Sequence, residues 1–532
     1  MGARASLLAA GIACALACTA SVAFECSDSG DCDGEGVCQP VGFCSFPDDG
    51  CESGQRYGDL AGSLSNMCVP LESAGTGETG ADATGLPNDA GSSGGDAPAT
   101  TDAVDDSVGA TGPAESSGSP TAGDTTAETG GGLVVFRDDS LEDEFGAGEF
   151  LGTIWATDSV QVDAGPTGTF ISRVYDAGAV TTWDAIEWQP GAPYDRPLPP
   201  TEGGDEGYLS GAVDMSENIV LLRFDEEGPW PNGAVVPDAS GHGNDAMVIA
   251  GENGLPVVEG EFGLAAQDDM STYMAMASST DFDFGVSEFT WALWFRTTSD
   301  CVGDQSSANQ AYLGIEDNGV DRAHLWLGCV RPSAAACGTN AGNGYAGGTF
   351  RSVHSVDVGS VCGTTDIVDG QWHHMALTKS GHANATLTLY VDGVAEDQIE
   401  STFAEPIAFE DGPDFAVGAF QDGSPQASAA LDEIAIWRRA FTAEEVSDLY
   451  RRGAYSLRLQ VRPCSDPDCA DASWEGAAGP DSWFVDDGPG GPGPYPLRAL
   501  RSSRYMQYQL SMEGPGTPLS PAAFGVTITG HQ

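Results

Sequence analysis

The chain has 532 residues, 41% of them hydrophobic, with 72 Gly, 31 Pro and 14 Cys. That length exceeds one ordinary domain and can fill several packed cores. Twenty Lys plus Arg face 80 Asp plus Glu, a formal net charge of −60, and such a field repels phosphate backbones, which excludes nucleic-acid binding.

Residues 1–23 read as an export signal. Arg4 supplies the positive charge, Leu7 to Leu16 form a short apolar run, and Ser21-Val22-Ala23 offers a cleavage site. The run is too short to span a membrane, and no later stretch is long enough, so no transmembrane helix is expected. Ala15-Leu16-Ala17-Cys18 is similar to a lipobox, which makes Cys18 a candidate lipid anchor. The expected location is extracellular or at the cell surface.

Residues 24–70 carry Cys26, Cys32, Cys38, Cys44, Cys51 and Cys68 among Gly and Asp. Six cysteines in so short an exported stretch describe a small module held by disulfides, of undetermined connectivity. Their spacings do not suit zinc. Residues 71–132 contain no aromatic and no basic residue, so nothing there repays the entropy of ordering, and a disordered acidic Gly/Ser/Thr linker is expected.

From 133 onward the pattern becomes β. Phe170 to Tyr175 and Leu457 to Arg462 alternate or nearly alternate, with Gly- and Pro-rich turns between such runs. In the middle of the chain Phe289, Trp291, Leu293 and Phe295 fall on one strand face. Leu387, Leu389 and Val391 repeat the pattern, and Asp392-Gly393 supplies a tight hairpin turn. Ile434 and Ile436 share a later strand face. Thr442-Ala443-Glu444-Glu445 then forms a capping box that starts a short helix, with Val446, Leu449 and Tyr450 on one side and Gly453 to end it. Strands throughout with one short helix describe a two-layer antiparallel sandwich. Cys301, Cys329, Cys337 and Cys362 are expected to pin long loops by two disulfides, and Cys464 and Cys469 to close a local one.

These motifs resemble, in order, a laminin-G/concanavalin-A-like jelly-roll domain. The resemblance rests on Leu221 to Asp225, Asp238 to Asn244, Phe289-Thr290-Trp291, Gln371 to Ala376, Leu389 to Gly393, and Leu431 to Trp437 with its helix. It implies a module that binds an extracellular glycan or protein, with a structural Ca²⁺ in many members. Asp238, Asn244 and Asp432 match positions that lie near that ion, and a Gly-rich loop with Asp and Asn can supply its oxygen ligands. A plain turn, with Asp238 and Asn244 bonding their own backbone, is the competing expectation. Residues 42–57 resemble the Cys-rich leader of exported myxobacterial proteins.

The flanks carry a further resemblance. Tyr175 to Gly178 with Trp183 and Ile186-Glu187-Trp188, then Gln460-Val461-Arg462 and Arg504 to Tyr508, resemble the two halves of a bacterial β-sandwich module. The fold expected is all-β: a jelly roll inserted into a second β-sandwich, preceded by the disulfide-rich module and the linker. Boundaries are 133–211 and 454–532 for the outer sandwich and 212–453 for the inserted domain, three consecutive domains being the alternative.

Catalytic groups are sought and not found. A retaining hydrolase needs two carboxyl groups about 5 Å apart. Asp432 and Glu433 are adjacent on a strand, so they are expected on opposite faces. His373-His374 diverge for the same reason, and no His-Glu-x-x-His or Gly-x-Ser-x-Gly occurs. The function expected is an exported, non-catalytic, surface-displayed binding protein. A structural or adhesive envelope protein without small-molecule ligand and a polysaccharide hydrolase remain as alternatives.

Overall fold

The computed structural model describes residues 132–532 apart from 141–143, 201–203, 206, 286, 302–308, 318–322, 331–343, 353–357, 383, 403–408, 410–411, 421–426, 487–492 and 517–519; upstream it describes only 32, 36–39, 44–47, 53 and 55–57. The export signal, Cys18 and the linker to residue 131 therefore lie outside the described residues. In the upstream unit Val37–Cys38, Cys44–Pro47 and Gln55–Tyr57 form a three-stranded antiparallel sheet, and a disulfide joins Cys32 to Cys44.

The jelly roll consists of two eight-stranded antiparallel sheets. The first centres on Phe289–Arg296, which pairs with Trp372–Ser380 on one side and Ala430–Trp437 on the other. Asn384–Val391 and Val394–Thr402 extend it outward, while Asn218–Leu222 and Leu264–Gln267 both pair with Ala430–Trp437. The second sheet runs through Tyr273–Met276, Phe415–Val417, Asn309–Glu316, His324–Val330 and Tyr345–Arg351 to Val358–Cys362. The alternation of the sequence sets the register: Phe289, Trp291, Leu293, Phe295, Leu387, Leu389, Val391, Ile434 and Ile436 all enter the core between the sheets. Asp392 and Gly393 take φ of 50° and 74° between the paired Val391 and Val394, the left-handed pair that a two-residue hairpin demands. Cys301 bonds Cys329, and Cys362 is also disulfide-bonded.

The outer sandwich interleaves strands from both flanks. Tyr175–Pro190, 16 residues long, pairs near its start with Ser503–Glu513 and over the rest with Ala522–His531. Ser456–Cys464 lies beside Ser503–Glu513 in unbroken register, and Leu133–Asp138 beside Ala522–His531. Strands before residue 191 thus find their partners after residue 455, so the jelly roll is inserted into the second sandwich. Trp183, Ile186, Leu459, Val461, Tyr508 and Ile528 share one core. Within it the buried Asp138 accepts hydrogen bonds from the Tyr175 and Tyr508 hydroxyls, satisfying a carboxyl that would otherwise be costly to bury. Cys464 and Cys469 form the expected local disulfide.

A third core lies on the outside of the jelly roll. The outer face of the first jelly-roll sheet, with Leu221, Ala292, Ala376, Ala435 and Trp437, is covered by the helix Ala443–Ala454 and by the connecting strap 191–217. The helix contributes Val446 and Leu449, and the strap Leu198, Val213 and Met215. Thr442 Oγ1 accepts from the Glu445 N–H at 3.2 Å, and Glu445 Oε2 accepts from the Thr442 N–H at 2.7 Å, completing the capping box. Gly453 does not end the helix, which runs on to Ala454. A Cβ at Gly453 would lie 2.6 Å from the Trp294 ring and 2.8 Å from Glu261 Oε1, so glycine is required there for close packing.

Candidate functional site

The turn that follows Val235–Val236 is organised by Asp238. Its Oδ1 accepts from the N–H groups of Leu221 and Ser240, both at 2.9 Å; its Oδ2 accepts from Ser240 Oγ at 2.7 Å and the Asn244 N–H at 3.0 Å. Asn244 Nδ2 donates to Ile219 O and to Asp281 Oδ2. Four donors aimed at one carboxylate, and an amide nitrogen turned toward a second carboxylate, fix a turn onto the sheet edge. That is the geometry of the plain turn, the competing expectation.

Asp432 is not brought to that turn. Leu221, which bonds Asp238, pairs with Ala435, three residues along the strand from Asp432 and so roughly 10 Å away at about 3.3 Å per residue. Asp432 instead meets the loop 260–263, where its Oδ2 accepts from the Phe262 N–H at 2.9 Å. Asp225 converges on the same loop, its Oδ1 accepting from the Leu264 N–H at 3.3 Å. Burial first, then the charges of Glu433 and Asp225, push the Asp432 carboxyl up to about 9. Asp432 Oδ1 accepts in addition from the Glu433 N–H at 2.8 Å, so both its oxygens are held by backbone donors, as those of Asp238 are, and a cation site at this loop would draw on Asp432 and Asp225. Among the described residues no three His, Cys, Asp or Glu side chains are grouped as metal ligands, so backbone carbonyls would have to complete any such site. Asp225 was not singled out in the sequence because its loop partner lies some 40 residues away.

Glu433 corrects the expectation that it opposes Asp432. Between Ala292/Ala435 and Trp294/Asp432 the register slips by one residue, a β-bulge, and Glu433 takes a φ of 43°. Leu431 and Ile434 both face the core, so the two intervening acids both turn to the outer face. There the argument from strand alternation fails and burial takes its place: Asp432 is 0% exposed and Glu433 3%. Glu433 Oε2 accepts from the Leu198 N–H at 3.1 Å, and Arg223 Nη1 lies 3.6 Å from Oε1. Burial pushes its carboxyl up to about 7 against the pull of Arg223. It lines a small cavity with Leu198, Trp294, His374 and Arg452, of a size for about one water.

His373 and His374 diverge as expected. The His373 ring stacks on Phe295 of the core, and the His374 ring lies 5.3 Å from the Trp294 ring of the outer face, tilted by 58°.

Residues 268–447 match the family model of laminin-G type described as the concanavalin A-like lectin/glucanases superfamily. The jelly roll is therefore of this laminin-G/concanavalin-A-like kind. Among solved structures the chain is similar to the binding domain of Paraclostridial Mosquitocidal Protein 1 (14% identity, 44% of this chain and 52% of that one, TM-score 0.34). It is similar to Domain 4 of AbnA, an extracellular GH43 arabinanase from Geobacillus stearothermophilus, in complex with arabinotriose (17%, 44% and 98%, TM-score 0.30). A third is the binding domain of Botulinum Neurotoxin DC in complex with SialylT (11%, 47% and 54%, TM-score 0.32). The chain spans about half the length of the two toxin domains. No curated protein matches it. No helix among the described residues is long and apolar enough to cross a membrane.

Proposed function

We propose that this chain is an exported, surface-displayed binding protein that recognises an extracellular glycan or matrix component through its laminin-G-like domain, without catalysis. The observation that carries the reading is the family match laid on the two-sheet jelly roll, together with the burial of the acid pair Asp432 and Glu433 beneath the strap and the helix. A binding fold whose nearest carboxyl pair is sealed supports recognition over hydrolysis, although fold alone never fixes function. Calcium, in this reading, belongs with Asp432 and Asp225 rather than with Asp238 and Asn244, and its part is structural.

A glycan-array screen of the full chain, run with calcium and again with a chelator, tests both statements. Binding to a coherent glycan set supports recognition. A blank array on folded protein, or cleavage of a bound polysaccharide, would overturn it. Calcium should raise the melting temperature of the wild type but not of Asp432→Asn or Asp225→Asn. An equal rise in all three proteins would remove calcium from this site.

A further inference from the structure

His373 is held between two carboxylates that belong to different turns. Its Nδ1 lies 2.9 Å from Asp392 Oδ2 and its Nε2 3.2 Å from Asp369 Oδ1. A neutral imidazole has one N–H, so it can satisfy one carboxylate and must turn a lone pair toward the other. Both bonds form together only for the imidazolium.

Each turn is tied to a different part of the jelly roll. On the Asp369 side, the Gly370 N–H donates to Thr297 O at 3.0 Å and the Ile367 N–H to Gly344 O at 3.1 Å. Gly344 itself lies against the sulfurs of Cys301 and Cys329. On the other side, Asp392 exchanges bonds with the His374 backbone, and Gly393 packs on Tyr450 of the helix. The strand Phe289–Arg296 presents the Phe295 ring to His373, while the Arg296 guanidinium sits over Trp372 instead. His374 points to the opposite face. The Asp392 charge also acts on Glu261 and Tyr450, neither of which is among the groups that act on His373. Asp369 and Asp392 are thus the charged groups that act on the ring.

We propose that His373 is a proton-operated clamp: as an imidazolium it ties the turn 366–371 to the hairpin turn at Asp392-Gly393, and on losing its proton it lets the Asp369 turn go. The Asp369 arm is the one that opens, because its contact is the longer and its carboxylate is 49% exposed against 27% for Asp392. Water solvates a half-exposed carboxylate at little cost, so that bond is the weaker. Burial lowers the ring's proton affinity, but the two carboxylates outweigh it, and the net shift is upward from 6.5. The clamp is therefore closed on the acid side of its raised value and opens as pH rises through it, loosening the rim that carries the disulfide between Cys301 and Cys329.

The test uses the full chain with ¹⁵N-labelled histidine. Both ring nitrogens of His373 should be protonated near pH 6, with a midpoint above 6.5. Hydrogen exchange at the Ile367 and Gly370 amides, corrected for its intrinsic pH dependence, should lose about tenfold protection for each pH unit by which the midpoint is raised. Asp369→Asn, a substitution at a half-exposed side chain, should lower the midpoint and flatten the exchange profile; His373→Gln, which has no imidazole to titrate, should flatten the profile. A ring neutral near pH 6, or an unchanged profile in Asp369→Asn, would overturn the clamp.

Discussion

Arg452, 1% exposed, ties the helix Ala443–Ala454 to the strap. It projects from the last turn of the helix into the strap. Its Nη1 and Nη2 bond the Asp205 carboxylate at 2.7 and 3.3 Å, its Nε donates to Arg196 O at 3.2 Å, and Nη2 also donates to Pro197 O at 2.7 Å. Arg452→Met keeps the stem and removes the charge. Asp205, whose side chain is 0% exposed, would retain the Val213 N–H and Arg196 Nε at 4.0 Å. Breaking one side of a buried pair costs about 3–5 kcal/mol, and two carbonyls left without donors add roughly 1 kcal/mol each if no water reaches them. The residual Arg196 contact offsets part of this, so a loss of about 4 kcal/mol is expected. Urea denaturation of the full chain, followed by tryptophan fluorescence, reads it directly. Arg452→Met with Asp205→Asn should cost less than the sum of the two single changes, since no buried charge is then left unpaired. A single-variant loss under about 1 kcal/mol, or strict additivity in the cycle, would refute the view that this ion pair bolts the strap to the helix.

Lys379 is the sole lysine of the chain, and its Nζ donates to Ser287 O at 2.9 Å and Gly381 O at 3.0 Å. Burial lowers its ammonium to about 8, with Glu288 opposing. Between about 8 and 10.4 the unfolded chain keeps a proton that the folded one has released, so this group makes stability climb with pH in that window. Lys379→Met should abolish that climb in urea midpoints taken across the window, and an unchanged slope would remove Lys379 as its source. Thr442→Ala should cost about 1 kcal/mol by opening the capping box; a melting temperature equal to wild type would show that tertiary packing, not the cap, starts the helix.

What could be read from the residues, and what could not, divides along a physical line. Period-two alternation is local, so Phe289 to Phe295 and Leu387 to Val391 announce their buried faces without knowledge of their partners. Turn chemistry is local as well, as at Asp392-Gly393 and in the Thr442 capping box. The insertion was legible because paired strands of one module, Tyr175–Pro190 and Ser503–Glu513, keep their own signatures however much chain separates them. The orientation of Glu433 was not legible. A glutamate with positive φ carries no signature, and the bulge exists because Ala430–Trp437 must match Phe289–Arg296 on one side and Asn218–Leu222 on the other. The convergence of Asp225 on the loop that Asp432 meets is likewise a property of the closed fold. So is the role of the strap: Leu198, Val213 and Met215 are spaced with no period, and only the outer sheet face with Ala292, Ala376 and Ala435 gives them something to bury against. Those small residues hold the deeper reason. Alanine on a sheet's outer face leaves room for a covering layer, so this face was never built for solvent, and the recognition proposed above would fall to surfaces of the jelly roll that the strap and helix do not occupy.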